Sequence, residues 1–167
     1  LTALDGLPMG TRCGQIDPGV LLYMMETEGK DAAEISDILY RRAGLLGLSG
    51  LSNDMRALEE SGTEAAEAAI SYFTFRIRRE AGALASVLGG LDALVFTGGI
   101  GEHSERVRRE VCAGLGWMGV ALDAARNRAS ETVISAADSR VGVYVIPTDE
   151  EMTIARAAMR LLSGAAG

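Results

Sequence analysis

The hydrophobic positions change their spacing part-way along the chain, and the change divides it in two. Up to Leu88 the spacing is helical. Asp17-Pro18 is a helix start, with an aspartate cap and proline at the first helical position. It predicts a helix to about Gly29 that buries Val20, Leu21, Met24 and Met25. Asp31 and Glu34 form a capping-box pair before a second helix that carries Ile35, Ile38 and Leu39 and stops at Gly44. LLGLSGLSND (45–54) reads as a glycine-punctuated loop, and 55–60 as a short helix. The longest predicted helix covers 63–88. Its apolar face is Ile70, Phe73, Ile77, Ala81, Leu84 and Leu88, a spacing that marks core packing.

Beyond residue 90 short apolar runs replace that pattern. DALVFT (92–97), bounded by glycine, predicts a strand buried on both faces. A helix with Val107, Val111 and Leu115 on one face follows, then weak strands over 117–122, 131–135 and 142–146. Thr148 and Glu151 read as a capping box for a last helix over 149–162. The opening LTALDGLPMGTR reads as a strand end running into a loop. Strands alternating with helices predict an α/β layer structure. Four short strands are few beside this much helix, so their partners are expected upstream of Leu1. The chain lacks an initiating Met and is expected to start mid-protein.

Composition narrows the function classes. Of the 167 residues, 48% are hydrophobic and 23% charged, as in ordinary soluble domains. A net charge of −7 argues against a long nucleic-acid surface, which needs clustered positive charge. No apolar run approaches the roughly 20 residues of a membrane span. Cys13 and Cys112 form neither a CxxC pair nor a disulfide framework, so a reduced, cytoplasmic setting is expected. Lys30 is the only lysine, and its context excludes a GxxxxGK[ST] phosphate loop. His103 is the only histidine, which makes a structural zinc site a poor fit.

Four segments carry candidate chemistry. In VFTGGIGEHS (95–104) glycines at a strand end would let a flat or anionic ligand approach the backbone beside a helix start; a plain tight turn is the alternative. In GLPMGTRCG (6–14) Arg12 stands between glycine-rich turns, suited to an oxyanion or simply solvated. SGLSNDMR (49–56) and PTDEE (147–151) both read as helix caps or as ligand contacts. In the second, the capping box uses Glu151 and leaves Glu150 free to bind, for example, Mg²⁺ through water.

GLPMGTRCG, IDPG, SGLSNDMR, FTGGIGEHS and VIPTDEE, in that order across 1–163, resemble the acetate kinase family. The resemblance implies a partial ribonuclease-H-like (actin-like ATPase) domain, a mixed sheet flanked by helices. It makes residues 1–167 the incomplete C-terminal nucleotide-binding domain of a two-domain kinase, with the N-terminal domain and first strands outside the chain. The implied reaction is reversible transfer of the ATP γ-phosphoryl group to acetate, giving acetyl phosphate and ADP. Mg²⁺ or Mn²⁺ assists it, in a homodimer whose partners are ATP and a short-chain carboxylate. By matching position, Arg12 would stabilise the phosphoryl group in flight. Asp54, Met55 and Arg56, with Gly99, Ile100, Gly101, Glu102 and His103, would line the adenosine pocket, and Glu150 would associate with the metal. His103 stands where many members have Asn. Ala3 stands where many carry Pro beside the acyl pocket, which leaves propionate open as the acceptor. The family's catalytic Asp and His, a second substrate Arg and the phosphate hairpin belong to the N-terminal portion, so the chain alone is expected to be inactive.

A dinucleotide-binding dehydrogenase is the rival reading. It takes GGIGEHS as GxGxxS and Asp123 as the ribose-binding acid about 20 residues on. Ser104 then occupies the third fingerprint position, and GLPMGTRCG and PTDEE go unexplained.

Overall fold

The computed structural model describes residues 2–162, and the side chains of Glu150, Glu151, Thr153 and Ile154 lie outside what it describes. The architecture is α/β. Among the described residues helices dominate, and two short strands, β1 (Ala93–Phe96) and β2 (Gly142–Val145), pair in parallel with Ala93 opposite Gly142 and Phe96 opposite Val145. The alternation of a strand turns Phe96, Val143 and Val145 into the core and leaves Val95 47% exposed, so β1 is buried on one face only. The weaker strands at 117–122 and 131–135 reduce to isolated antiparallel bridges, Leu122 with Ser135 and Val133 with Tyr144. A 3₁₀ turn, Gly116–Met118, takes the start of the first of these segments. No strand forms over 2–12, where turns and bends run instead.

Helix α5 (Glu64–Leu88) is the backbone of the core. Thr63 caps it by accepting from Ala66 N, and Ala66, Ala69, Ile70 and Phe73 are buried along one stripe. The expected stripe fails at its end: Leu84 and Leu88 are exposed. Against α5 pack α3 (Gly44–Ser49), α4 (Met55–Ser61) and α7 (Glu105–Ala113). Leu45, Leu58, Val107, Val111 and Leu115, each at most 1% exposed, join Ile134, Val141 and Val143 in one continuous cluster. A fully buried side chain of this kind contributes about 1.5–3 kcal/mol.

The N-terminal helices depart from expectation. Helix α1 (Pro18–Glu26) has the predicted Asp17 cap, accepting from Gly19 N, but it ends at Glu26 and buries none of its residues. Val20 and Met25 are exposed, and Leu21 and Met24 only half-buried. Helix α2 (Ala32–Asp37) has the predicted capping box, with Asp31 and Glu34 exchanging bonds of 2.9 Å. It then widens into a π-helical turn, Ile38–Arg42.

The segment 44–49, read as loop, is helix α3. Its glycines lower helix propensity, but tertiary contacts override that. The first free N–H groups of α3, on Leu45 and Leu46, donate to the carbonyls of Met9 and Gly10 at 2.9 and 3.0 Å. On the other side of the 9–13 loop, Cys13 N donates to Leu39 O and Thr11 Oγ1 to Tyr40 O, both carbonyls of the π turn. Gly44 sits at the crossing with φ +60°, and a Cβ there would run into the carbonyl oxygens of Met9 and Arg12. Among the described residues no helix is long and apolar enough to cross a membrane.

This interlock predicts an ordering of two substitutions. Gly44→Ala and Gly62→Ala both force alanine into left-handed backbone, at about 1–3 kcal/mol, but Gly62 has open space beyond it. Urea denaturation should show a clearly larger loss for Gly44→Ala. Equal losses would mean that the 9–13 loop is not clamped on position 44.

Candidate functional site

Two segments 45 positions apart in sequence form opposite walls of an open cleft of about 730 Å³. One wall is the start of α4, from Asn53 to Glu60. The other is α6 (Gly98–His103), contributing Gly99, Ile100 and His103, with Ser104 behind it. The walls are tied at the base by one hydrogen bond, Ser104 Oγ to Glu59 Oε1 at 2.5 Å. The same Ser104 oxygen accepts from Val107 N at 3.0 Å and so caps α7.

The first wall is built by Asp54. Its Oδ1 accepts from Arg56 N at 2.8 Å and Ala57 N at 3.2 Å, the N-cap geometry expected of aspartate. Met55 turns its side chain into the core, 5% exposed. Arg56 reaches over the surface, and its Nε donates to Glu60 Oε1 at 2.9 Å, which raises the pKa of the guanidinium further. Cap and ligand contact are thus compatible at 54–56, because the cap uses Oδ1 and leaves the Arg56 side chain outward.

The second wall starts where β1 ends. Gly98 has φ +73°, a turn that suits glycine, and a Cβ at Gly99 would meet nothing within 4 Å, so the backbone there is open to the cleft. His103 is exposed on the same rim. Gly101 and Glu102 do not line the cleft. Glu102 Oε1 accepts from Gly98 N at 2.8 Å and from Thr148 N and Oγ1 at 3.0 and 3.3 Å. Its carboxylate joins the two loops that leave β1 and β2. The bond from Thr148 N, then that from Gly98 N, outweigh partial desolvation and hold its pKa below the ordinary value.

Arg12 lies outside the cleft lining but close to its rim. A Cβ at Gly10 would fall 2.8 Å from Asn53 O, so the Arg12 loop abuts the residue before Asp54. Arg12 is exposed, and its side chain has no hydrogen bond or ion pair among the described residues. Glu150 opens α9 (Glu150–Leu162), and its side chain lies outside the described residues. The cap of α9 differs from expectation: Asp149 Oδ1 accepts from Met152 N at 2.8 Å, while Thr148 is engaged with Glu102. Ala3 is exposed in the opening turns.

Three residues around the site were not singled out from sequence: Glu59, Glu60 and Arg108. The two glutamates look like any solvated helix face. Arg108 left a signal, because it shares one face of α7 with Val107 and Val111, and an arginine among buried valines has to be satisfied from inside. The dinucleotide reading fails on geometry. Asp123 caps α8 (Ala124–Arg128) through Ala125 N and Arg126 N, and the segment before it is a 3₁₀ turn and a bridge, without the second strand that a ribose-binding acid follows.

Comparison with known proteins gives the family. The model of the acetokinase family matches residues 1–156. The chain belongs to the acetokinase family. It is 62% identical over 161 residues to the acetate kinase of Methylocella silvestris, covering 96% of this chain and 40% of that one. The crystal structure of Porphyromonas gingivalis acetate kinase superposes with a TM-score of 0.85 at 43% identity, over 96% of this chain and 42% of that one. A propionate kinase from Francisella tularensis superposes equally well, TM-score 0.85 at 39% identity, over 92% of this chain and 40% of that one. The chain thus spans about two fifths of the length of these acetokinase relatives.

The Glu102 link predicts a pH effect. Folding lowers its pKa below 4.5, so its bonds stabilise the protein above that value and weaken as pH falls through the folded-state pKa. Glu102→Gln keeps an acceptor that does not titrate. Thermal melts should show wild type more stable at neutral pH, with the gap to Glu102→Gln closing as pH falls through and below the ordinary carboxylate range. A gap independent of pH would contradict the assignment.

Proposed function

We propose that the protein carrying this chain transfers the γ-phosphoryl group of ATP, reversibly, to acetate or propionate. The observation that carries the reading is the cleft: the two segments matched to the family's adenosine contacts, distant in sequence, face each other across it. Its volume of about 730 Å³ is within the range of small-molecule sites. The open backbone at Gly99 suits the flat face of a nucleoside. In this reading the chain is the C-terminal nucleotide-binding part of a two-domain, cytoplasmic, homodimeric kinase. The exposed apolar side chains Leu22 and Tyr23 on α1 are compatible with a covered surface in that assembly.

In the forward reaction a carboxylate oxygen attacks the γ-phosphorus, the bond from that phosphorus to the bridging oxygen of ADP breaks, and acyl phosphate and ADP result. Catalysis of such a transfer is chiefly positioning and charge stabilisation. The cleft walls orient the adenosine, with Asp54 fixing α4 and α6 presenting its backbone. Arg12, on a loop locked by backbone bonds and with its guanidinium unpartnered among the described residues, would donate to the equatorial oxygens. Mg²⁺ when bound would shield the phosphates. That ion would be held mainly by phosphate and water, with Glu150 as its carboxylate. Ala3, smaller than proline, gives room for the extra methylene of propionate, a group worth only about 1–3 kcal/mol of discrimination.

Arg12→Ala in the full-length protein should cut kcat by about 10³-fold and leave KM for ATP nearly unchanged, because the contact strengthens in the transition state. Lysine should rescue in part, lacking the planar fork. Retention of more than about a tenth of kcat, a deficit of about 1.4 kcal/mol, would refute the role. Glu150→Ala should raise the Mg²⁺ requirement, and excess metal should restore part of the loss; an unchanged Mg²⁺ dependence would remove Glu150 from the metal site. Residues 1–167 alone should show no turnover in a coupled assay.

A further inference from the structure

Arg108 is 0% exposed, and the proposed mechanism does not use it. From α7 its guanidinium reaches two other segments. Nη1 donates to the carbonyls of Gly101 at 2.9 Å and Glu102 at 2.7 Å, the last turn of α6. Nε donates to Asn127 Oδ1 at 2.7 Å, and Nη2 to Asn127 O at 2.8 Å and Ser130 Oγ at 3.0 Å. Asn127 is itself buried, its Nδ2 donating to Glu105 O at 3.0 Å. Ser130 holds a left-handed φ of +49°, uncommon outside glycine, at the point where it meets the guanidinium.

Helix α6 needs such support. Three of its six residues are Gly98, Gly99 and Gly101, the residue type that loses most backbone freedom on ordering. One and a half turns is too short to sustain itself, and its N-cap, Thr97, makes no side-chain bond. The carbonyls at its end are the ones that helix geometry leaves unpaired. Arg108 takes two of them, and Glu102 takes Gly98 N at the other end.

We propose that Arg108 is a positioning residue for nucleotide binding: by gripping the Gly101 and Glu102 carbonyls and leaning on Asn127, it fixes the wall of the cleft that carries Gly99, Ile100 and His103. The inference rests on the nucleotide reading of that cleft. An arginine that merely filled the core would affect stability alone, whereas a positioning arginine affects one substrate and not the other.

The test is made on the full-length protein. Arg108→Lys keeps the charge but cannot span the carbonyls and Asn127 together; Asn127→Leu keeps the arginine and removes the side-chain acceptor behind it. For each variant that melts cooperatively, Mg-ADP affinity is measured by calorimetry, with KM for ATP and for the carboxylate. Arg108→Lys should weaken Mg-ADP binding and raise KM for ATP about tenfold or more, with KM for the carboxylate within about twofold of wild type. Asn127→Leu should shift the same quantities in the same direction by less, and serves as the test if Arg108→Lys does not fold. Mg-ADP affinity within about twofold of wild type in a folded variant, or equal shifts in both KM values, overturns the proposal. Wild-type protein that binds no Mg-ADP overturns the nucleotide reading itself, and this inference with it.

Discussion

A guanidinium taken out of water has to recover in the protein what it loses in hydration, and Arg108 recovers it only if α6, α7 and the segment 127–130 keep one relative placement. Burial alone pulls its pKa down from the ordinary arginine value, an effect opposed chiefly by the neighbouring Glu105 charge. Its other partners are neutral oxygens, so hydrogen bonds rather than an ion pair hold it. Breaking one of them strands a buried polar group, at about 1–3 kcal/mol. That cost makes the arrangement close to all-or-none. The wall of the cleft inherits this rigidity, Glu102 adds its bond to Gly98 N, and the glycines stay bare for a ligand.

The opposite wall is rigid for a different reason. Backbone groups interlock the 9–13 loop between the π turn and the start of α3, and Gly10 brings that loop against Asn53. An exposed arginine on a mobile loop would lose much of its contact energy to ordering. Here the ordering of the Arg12 backbone is completed by folding, and the side chain alone remains to be fixed. The proposed transition-state role of Arg12 and the proposed adenosine site are in this way parts of one scaffold, joined at its base by Ser104 and Glu59.

Much of this scaffold could be read from the chain. Caps at Asp17, at Asp31 and within SGLSNDMR depend on neighbours within four residues, and local chemistry is what a sequence displays. The α/β class followed from short apolar runs alternating with helical patterns beyond residue 90. What eluded reading depends on distant partners. Helix α3 forms from a glycine-rich stretch because Met9 and Gly10, over thirty residues earlier, accept its first N–H groups. The strands at 117–122 and 131–135 failed because ladder pairing is decided by the partner strand, not by the run itself. The apolar face of α1 looked like core, yet none of its residues is buried. At the site, motif order brought 54–56 and 99–103 into view, while the inward turn of Glu102 and the buried Arg108 show only in the folded structure.

The account's central claim is that a nucleotide occupies the space between α4 and α6. A crystal structure of the full-length protein grown with Mg²⁺ and ADP tests it most directly. The predicted result is adenosine seated between residues 53–60 and 99–104, in van der Waals contact with the Gly99 backbone, its phosphates directed towards the Arg12 loop. Nucleotide density elsewhere, with this cleft holding only water, would contradict it.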